Sequence, residues 1–189
     1  MFKMAKEIDY QKFRWFFTSS GALVIGGKSA DQNEEVVKRA KDDDILLHTE
    51  DPGSPFCVIV DDVEETEKDV HEAAIFCASL SQAWKKKKKE IEVSIFRKDQ
   101  VYKLKSMKKG TFGVRGAEQK VKIVPKLYLT FKEGRLRCVP FETNIAIITP
   151  GDMKKEQAAE IISAKMKIKK DEVLSALPPD KIAIKWLEN

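Results

Sequence analysis

The chain is poor in cysteine and histidine and has no long apolar run. Three cysteines occur in 189 residues, Cys57, Cys77 and Cys138. Their number is odd, their spacings are wide and no Cys-x-x-Cys pair exists, so a zinc cage is excluded. Cys57 sits in a strand-like run and Cys77 on an apolar helix face, where thiols act as small core residues in a reducing compartment. The only histidines are His48 and His71. No metal and no cofactor are expected. No apolar run approaches the roughly 18 residues of a membrane span. The opening "MFKMAKEIDY" lacks the apolar core of a secretory leader, so a cytoplasmic location is expected. Gly-Lys-Ser occurs at 27–29, but the upstream glycine of a phosphate-binding Walker loop would fall on Ala22. Nucleotide hydrolysis is therefore excluded.

Charge is abundant and unevenly placed. Charged residues make up 34% of the chain, mean hydropathy is −0.38 and the formal net charge is +5. Residues 1–84 carry 9 Lys/Arg against 17 Asp/Glu, residues 85–137 carry 18 against 5, and residues 138–189 carry 8 of each. The whole positive excess lies in one stretch. Such concentration points to a polyanionic partner, nucleic acid first. The rival reading is a module that docks on an acidic protein surface.

Helical and strand patterns mix without regular alternation, which predicts an α+β fold: a mixed or antiparallel sheet with helices packed on it, in a single domain. "FRWFFTSSGALVIGG" reads as a hairpin turning on Ser19, Ser20 and Gly21. Ser29 with Gln32 forms a capping box for a helix to about Lys41. Strands are expected at 45–48 and 56–60. Val70, Ala73, Cys77, Leu80 and Trp84 make one apolar stripe of a helix over 66–84, with acids at its start and Lys85–Lys89 at its end. "EIEVSIFRK" and "QVYKLKSM" predict a pair of strands, "KKGTFGVRGAEQ" a loop, and "KLYLTFKEGRLRCVPF" a hairpin on Glu133-Gly134. A strand ending at Pro150-Gly151, a helix over 153–167 and a last strand, "KIAIKW", complete the chain. The expected division is an extension at 1–9, a core at 10–150 and a C-terminal helix and strand at 151–189 packed on it.

Three groups of residues carry candidate chemistry. The first is the lysine run, with Lys85, Lys86 and Lys87 as candidate phosphate contacts, and Lys105 in the basic stretch that follows. The second is the loop "MKKGTFGVRG". Its glycines let backbone N–H groups approach an anion, and Lys108, Lys109, Gly110, Thr111 and Arg115 are its candidate contacts. Phe112 there either stacks on a base or plugs the core. The third is His48 before a rigid "EDPGSP" turn, with Ser54 in the turn. His48 as an acid/base with Asp51 or Glu50 as its partner would make an RNA-processing enzyme, and His48 is otherwise a hydrogen-bond donor to the turn or to a phosphate.

Several stretches together resemble the NFACT RNA-binding domain family. In "RWFFTSSGALVIGGKSADQNEEVVKR" the matching residues are Trp15, Phe16, Ser19, Gly26, Gly27, Lys28, Gln32, Asn33 and Glu34. In "DILLHTEDPGSPFCVI" they are Asp44, His48, Gly53 and Ser54. "EAAIFCASLSQAW", "KGTFGVRG", "ITPGD" and "ALPPD" also fit. The resemblance implies a stand-alone or excised member of archaeal type. It adds Lys28, Gln32 and Asn33 to the expected RNA contacts. It implies tRNA or ribosomal RNA as partner, the large ribosomal subunit as setting, and a role in translation and ribosome quality control without chemistry of its own. Two departures stand out. Lys28 replaces the usual arginine, which removes bidentate phosphate binding there, and "TEDPGSP" replaces the turn of the longer members.

Overall fold

The computed structural model describes residues 9–60, 65–116 and 119–187. Of the expected extension at 1–9, all but Asp9 lies outside them, as does Glu64 of the helix-start acids. The expected α+β class is what forms, from helices and antiparallel sheets.

After a 3-10 turn at Tyr10–Lys12, β1 (Arg14–Phe17) and β2 (Leu23–Gly26) make the expected hairpin, with Arg14 opposite Gly26 and Phe17 opposite Leu23. Then come α1 (Ala30–Arg39), β3 (Ile45–Thr49), β4 (Cys57–Ile59), α2 (Glu67–Ser79), α3 (Gln82–Lys85) and β5 (Ile91–Arg97). A short arm follows, β6 (Val101–Tyr102) paired with β7 (Gly113–Val114), and then β8 (Gln119–Ile123). The first sheet runs in the order β1-β2-β4-β3-β5-β8, with every pair antiparallel.

This sheet is buried on both faces, and that explains why β2 and β4 read as unbroken apolar runs rather than alternating ones. Val24, Leu47, Cys57 and Val93 point to the side covered by α2. Leu23, Ile25, Leu46, Val58 and Phe96 point to the other side, covered by Val36 and Val37 of α1 and flanked by Phe112 and Val114 of the arm. The hairpin turn is clasped by α2: the amide and hydroxyl of Ser19 donate to Glu72, at 2.7 and 2.6 Å, and the hydroxyl of Ser20 donates to Asp69. Asp69 also completes a capping box with Thr66.

A second sheet, β10-β9-β11-β12, is built from β9 (Leu127–Lys132), β10 (Arg135–Val139), β11 (Ala146–Met153) and β12 (Ile182–Trp186). Its core is closed by α4 (Lys155–Met166) and α5 (Lys170–Ala176), through Ala158, Ala159, Ile162 and Val173. The expected division at residue 150 falls inside β11, and the change of sheet lies earlier, between β8 and β9. At Gly151 a Cβ would stand 2.5 Å from the backbone of Ile182, so β11 and β12 approach closely only with glycine there. The strand bulges at this point, between Pro150 and Met153.

Two expectations are corrected. The helix expected over 66–84 is two helices. Leu80 ends α2, and Ser81 starts α3 by accepting from the amide of Trp84 at 3.3 Å and donating to the carbonyl of Ala78 at 2.7 Å. The break turns Trp84, 1% exposed, into the second core rather than along the stripe. The strand pair expected over 90–107 also does not form. Gln100 accepts from the amide of Arg97 at 2.8 Å, and Val101–Tyr102 pairs with β7 instead. Three strands or α-helices went unread: β7, which lies inside the expected loop, β8 and α5.

Candidate nucleic-acid interface

A groove of about 950 Å³ opens beside the face that α1 and the arm cover. Its lining draws on the start of α1 (Lys28, Ser29, Asn33), the proline-rich turn (Gly53, Ser54), the arm (Lys109, Gly110, Thr111) and the first helical turn after α2 (Gln82, Lys85). Three cross-strand neighbours, His48 on β3, Ser94 on β5 and Lys120 on β8, form a row along it.

Asn33 is the bolt that holds these parts together. Its side-chain carbonyl accepts from the amide of Phe56 at 3.2 Å, and its amide group donates to the carbonyl of Gly110 at 3.5 Å. Gly27 lies directly under it: a Cβ there would meet the Asn33 side-chain oxygen at 2.3 Å. Ser29 caps α1 by accepting from the amide of Gln32 at 3.2 Å. Gln32 in turn accepts from the amide of Lys28 at 3.0 Å and donates to the carbonyl of Lys12 at 3.1 Å. Both ends of its amide group serve the helix start, and it is not part of the lining.

His48 turns its ring onto Phe56, with centroids 4.4 Å apart and planes 28° from parallel. Its Nε2–H donates to the carbonyl of Ser54 at 3.1 Å, which fixes the turn against β3. The Ser54 hydroxyl accepts from the amide of Gln82 at 3.2 Å. Asp51 does not line the groove. It accepts from Lys86 at 2.7 Å and Lys88 at 3.0 Å, and these two ammonium groups hold its carboxyl below the usual aspartate range. A carboxylate so stabilised is a poor proton acceptor, so the geometry does not support Asp51 as a catalytic base. Glu50 accepts from Lys120 at 2.5 Å.

The lysine run is therefore largely a staple. Lys86 and Lys88 close on Asp51, and Lys87, in the left-handed region at φ 54, pairs with Asp152 of the second sheet. Lys85 reaches the groove without a carboxylate partner among the described residues. The glycine loop is likewise bolted inward. The Gly110 amide donates to Glu34 at 2.8 Å, Lys103 bridges Glu34 and the carbonyls of Lys108 and Thr111, and the Thr111 amide and hydroxyl donate to the Lys108 carbonyl. These bonds hold the Glu34 carboxyl low. Lys109 pairs with Asp31. Arg115 lies over the ring of Tyr102 at 4.6 Å, and neither it nor Lys105 nor the Lys108 side chain lines the groove. Phe112 packs edge-on to Phe56 at 5.4 Å, partly buried against the core, and it also lines the groove.

The acids of the first 84 residues thus neutralise part of the basic middle stretch across the fold. What they leave on the lining is a smaller set: Arg14, Lys28 and Lys85 have no carboxylate partner among the described residues. Arg14 was not legible as a contact, since it stands between apolar residues at the head of "RWFF". The only signal was a charge where the strand pattern calls for an apolar residue.

The model of the family described as "NFACT protein RNA binding domain" matches residues 12–116, which hold nearly the whole groove. The chain is 36% identical to the archaeal Rqc2 homolog aRqcH of Methanocaldococcus jannaschii over 113 residues, 57% of this chain and 17% of that protein. It is 39% identical to the ribosome quality control complex subunit NEMF homolog of Drosophila melanogaster over 85 residues, 43% of this chain and 9% of that protein. It is 32% identical to ribosome quality control complex subunit 2 of Saccharomyces cerevisiae over 79 residues, 41% of this chain and 8% of that protein. The matched regions thus span less than a fifth of these relatives. The fold resembles that of the C-terminal part of a fibronectin/fibrinogen-binding protein from Streptococcus suis, with TM-score 0.55 and 22% identity over 60% of this chain and 46% of that one. With more than half of its length matched by that family's model, the chain belongs to the NFACT RNA-binding domain family.

Proposed function

We propose that this chain is an RNA-binding module of ribosome quality control that has no chemistry of its own and takes tRNA or ribosomal RNA along the groove. The observation that carries this reading is the set of cations without carboxylate partners, Arg14, Lys28 and Lys85, on the wall of a groove built by the family-matched segment. The relatives named as ribosome quality control complex subunits support a ribosomal setting, and we take that setting to be the large ribosomal subunit in the cytoplasm. Among the described residues no helix is long and apolar enough to cross a membrane.

Fluorescence anisotropy with labelled tRNA and ribosomal RNA fragments tests the proposal. Three phosphate contacts predict a log–log salt slope of about −2 for a single strand, at about −0.7 per contact. Binding that ignores salt, or heparin binding as tightly as tRNA, overturns it. Pull-down partners that survive nuclease treatment would instead assign the surface to an acidic protein.

A further inference from the structure

A second, smaller cleft lies between the outer strands of the two sheets. β1 is the edge of the first sheet and β10 the edge of the second, and both line one cavity of about 260 Å³. β10 lies beyond the segment that the family model matches. From β1 come Trp15 and Phe17, alternate residues on one face of the strand, joined by Tyr10 of the preceding turn. The three rings meet edge to face, with centroids 4.9, 5.7 and 5.8 Å apart. From the β9–β10 hairpin come Lys132, Arg135 and Arg137. Arg135 stands opposite Lys132 in the register, and Arg137 is the next residue of β10 on the same face. Two of these cations lie on the rings across the cleft. The Arg137 guanidinium is 4.0 Å from the Trp15 ring centroid, and the Lys132 ammonium is 5.0 Å from that of Phe17.

A brace between the sheets needs only those two cation–ring contacts. The charge goes further. Like charges directly opposite on a sheet repel, yet none of the three cations has a carboxylate partner among the described residues, although Lys86, Lys103, Lys109 and Lys120 all have one. Glu133, the one acid on the lining, pairs with none of them. An occupant that offsets this charge is an anion, and one that uses the rings is planar. A nucleotide is both. The cavity is smaller than the roughly 300–1,000 Å³ of a drug-sized pocket, so it admits one unstacked base and no duplex. A guanidinium laid on an indole offers such a base a plane to stack on. A peptide strand fits less well, because the amide of Leu136 on β10 already donates to Glu172 of α5 at 2.9 Å, which occupies that edge. β1 also carries Arg14 onto the wall of the groove, so the cleft and the groove share a strand.

We propose that this cleft takes one unpaired base of the bound RNA, stacked on the Arg137–Trp15 pair, with Lys132 and Arg135 on the flanking phosphates. This rests on the RNA-binding reading above. It adds a base-contacting subsite outside the groove, built in part from residues beyond the family-matched segment.

The test uses the full chain, a short single-stranded adenosine oligomer, its abasic counterpart of equal length, and tRNA. The readouts are anisotropy over a salt series and tryptophan fluorescence. The oligomer should quench the fluorescence and bind about 5-fold or more tightly than the abasic strand, the least expected of one stacked base. Trp15→Phe keeps a ring in the cleft, so it should still bind the oligomer, but the quenching should vanish. Arg137→Lys keeps the charge and loses the plane, so it should bind the oligomer about 5-fold more weakly with the wild-type salt slope, and the abasic strand as wild type does. Arg135→Gln should instead make the slope shallower by about 0.7. An abasic strand that binds as tightly as the oligomer, or quenching that persists in Trp15→Phe, overturns the base subsite; if Lys85→Gln still weakens tRNA binding, the groove reading stands. A wild-type chain with no salt-dependent binding of tRNA or oligomer overturns both. Polyglutamate quenching Trp15 as strongly as the oligomer reassigns the cleft to an acidic peptide, and free AMP doing so at the same concentration reassigns it to a mononucleotide; either result overturns the RNA base.

Discussion

Replacing Asp51 with asparagine separates the structural from the binding role of the lysine run. Asp51 is buried, with its side chain 11% exposed, while Lys86 and Lys88 are 59% and 49% exposed. A charge-assisted bond to a buried carboxylate contributes about 1.5–3 kcal/mol, and the exposure of the lysines reduces the pair's worth here to about 1–2 kcal/mol. For a chain of this size each kcal/mol moves the midpoint by about 2–4 °C, so Asp51→Asn should melt about 2–8 °C below wild type. The same change releases two ammonium groups. If they reach phosphates, RNA affinity at low salt rises and the log–log slope steepens by about 0.7 for each. Lys86→Gln, by contrast, should cost stability with little effect on RNA binding. Differential scanning fluorimetry and anisotropy over a salt series measure both quantities on one preparation. A midpoint within 1 °C or so of wild type, together with an RNA affinity that Lys86→Gln lowers as much as Lys85→Gln does, would refute the staple.

Two further perturbations follow from the geometry. Asn33→Ala leaves the buried amide of Phe56 without its acceptor; urea unfolding should show a loss of about 1–3 kcal/mol, and Asn33→Asp, which keeps that acceptor, should lose less stability but bind RNA more weakly through its added negative charge. At Asp69, burial alone raises the carboxyl pKa, but the hydroxyls of Ser20, Thr18 and Thr66 and the Thr66 amide outweigh it and hold the value at about 2 against an ordinary 3.8. Because the folded value is depressed, its stabilisation is present above the unfolded pKa and is lost as pH falls from about 4 to about 2. Asp69→Asn should therefore be less stable by about 2 kcal/mol at pH 7, with the gap closing toward pH 2 in chemical denaturation.

The local signals in the sequence were sound where one element decided them. Ser29 with Gln32 marked the start of α1, and Glu133-Gly134 marked a hairpin turn whose two residues both take positive φ. The exceptions had tertiary causes. Trp84 continued the helical stripe in spacing, yet the serine before α3 restarted the helix and sent the indole elsewhere. β8 alternates Lys120, Val121, Lys122 and Ile123, but it is a short edge strand beside a glycine-rich loop, where the pattern is weak. In the site, proximity was legible but spending was not. His48, Ser54, Asn33 and Gly110 do gather around one groove. That Asp51 would consume Lys86 and Lys88, and Glu34 the amide of Gly110, depends on contacts across 35, 37 and 76 positions of chain. Sequence composition counts charges and does not pair them.

The burial of Trp84 in the second core bears on how this domain can be cut or transplanted. Excising the segment that defines the family, residues 12–116, would pull a wholly covered indole into water and strip β5 of its partner β8. Such a fragment should be sticky and short-lived. A graft that keeps the fold intact must bring residues 119–187 along as the socket for that one ring.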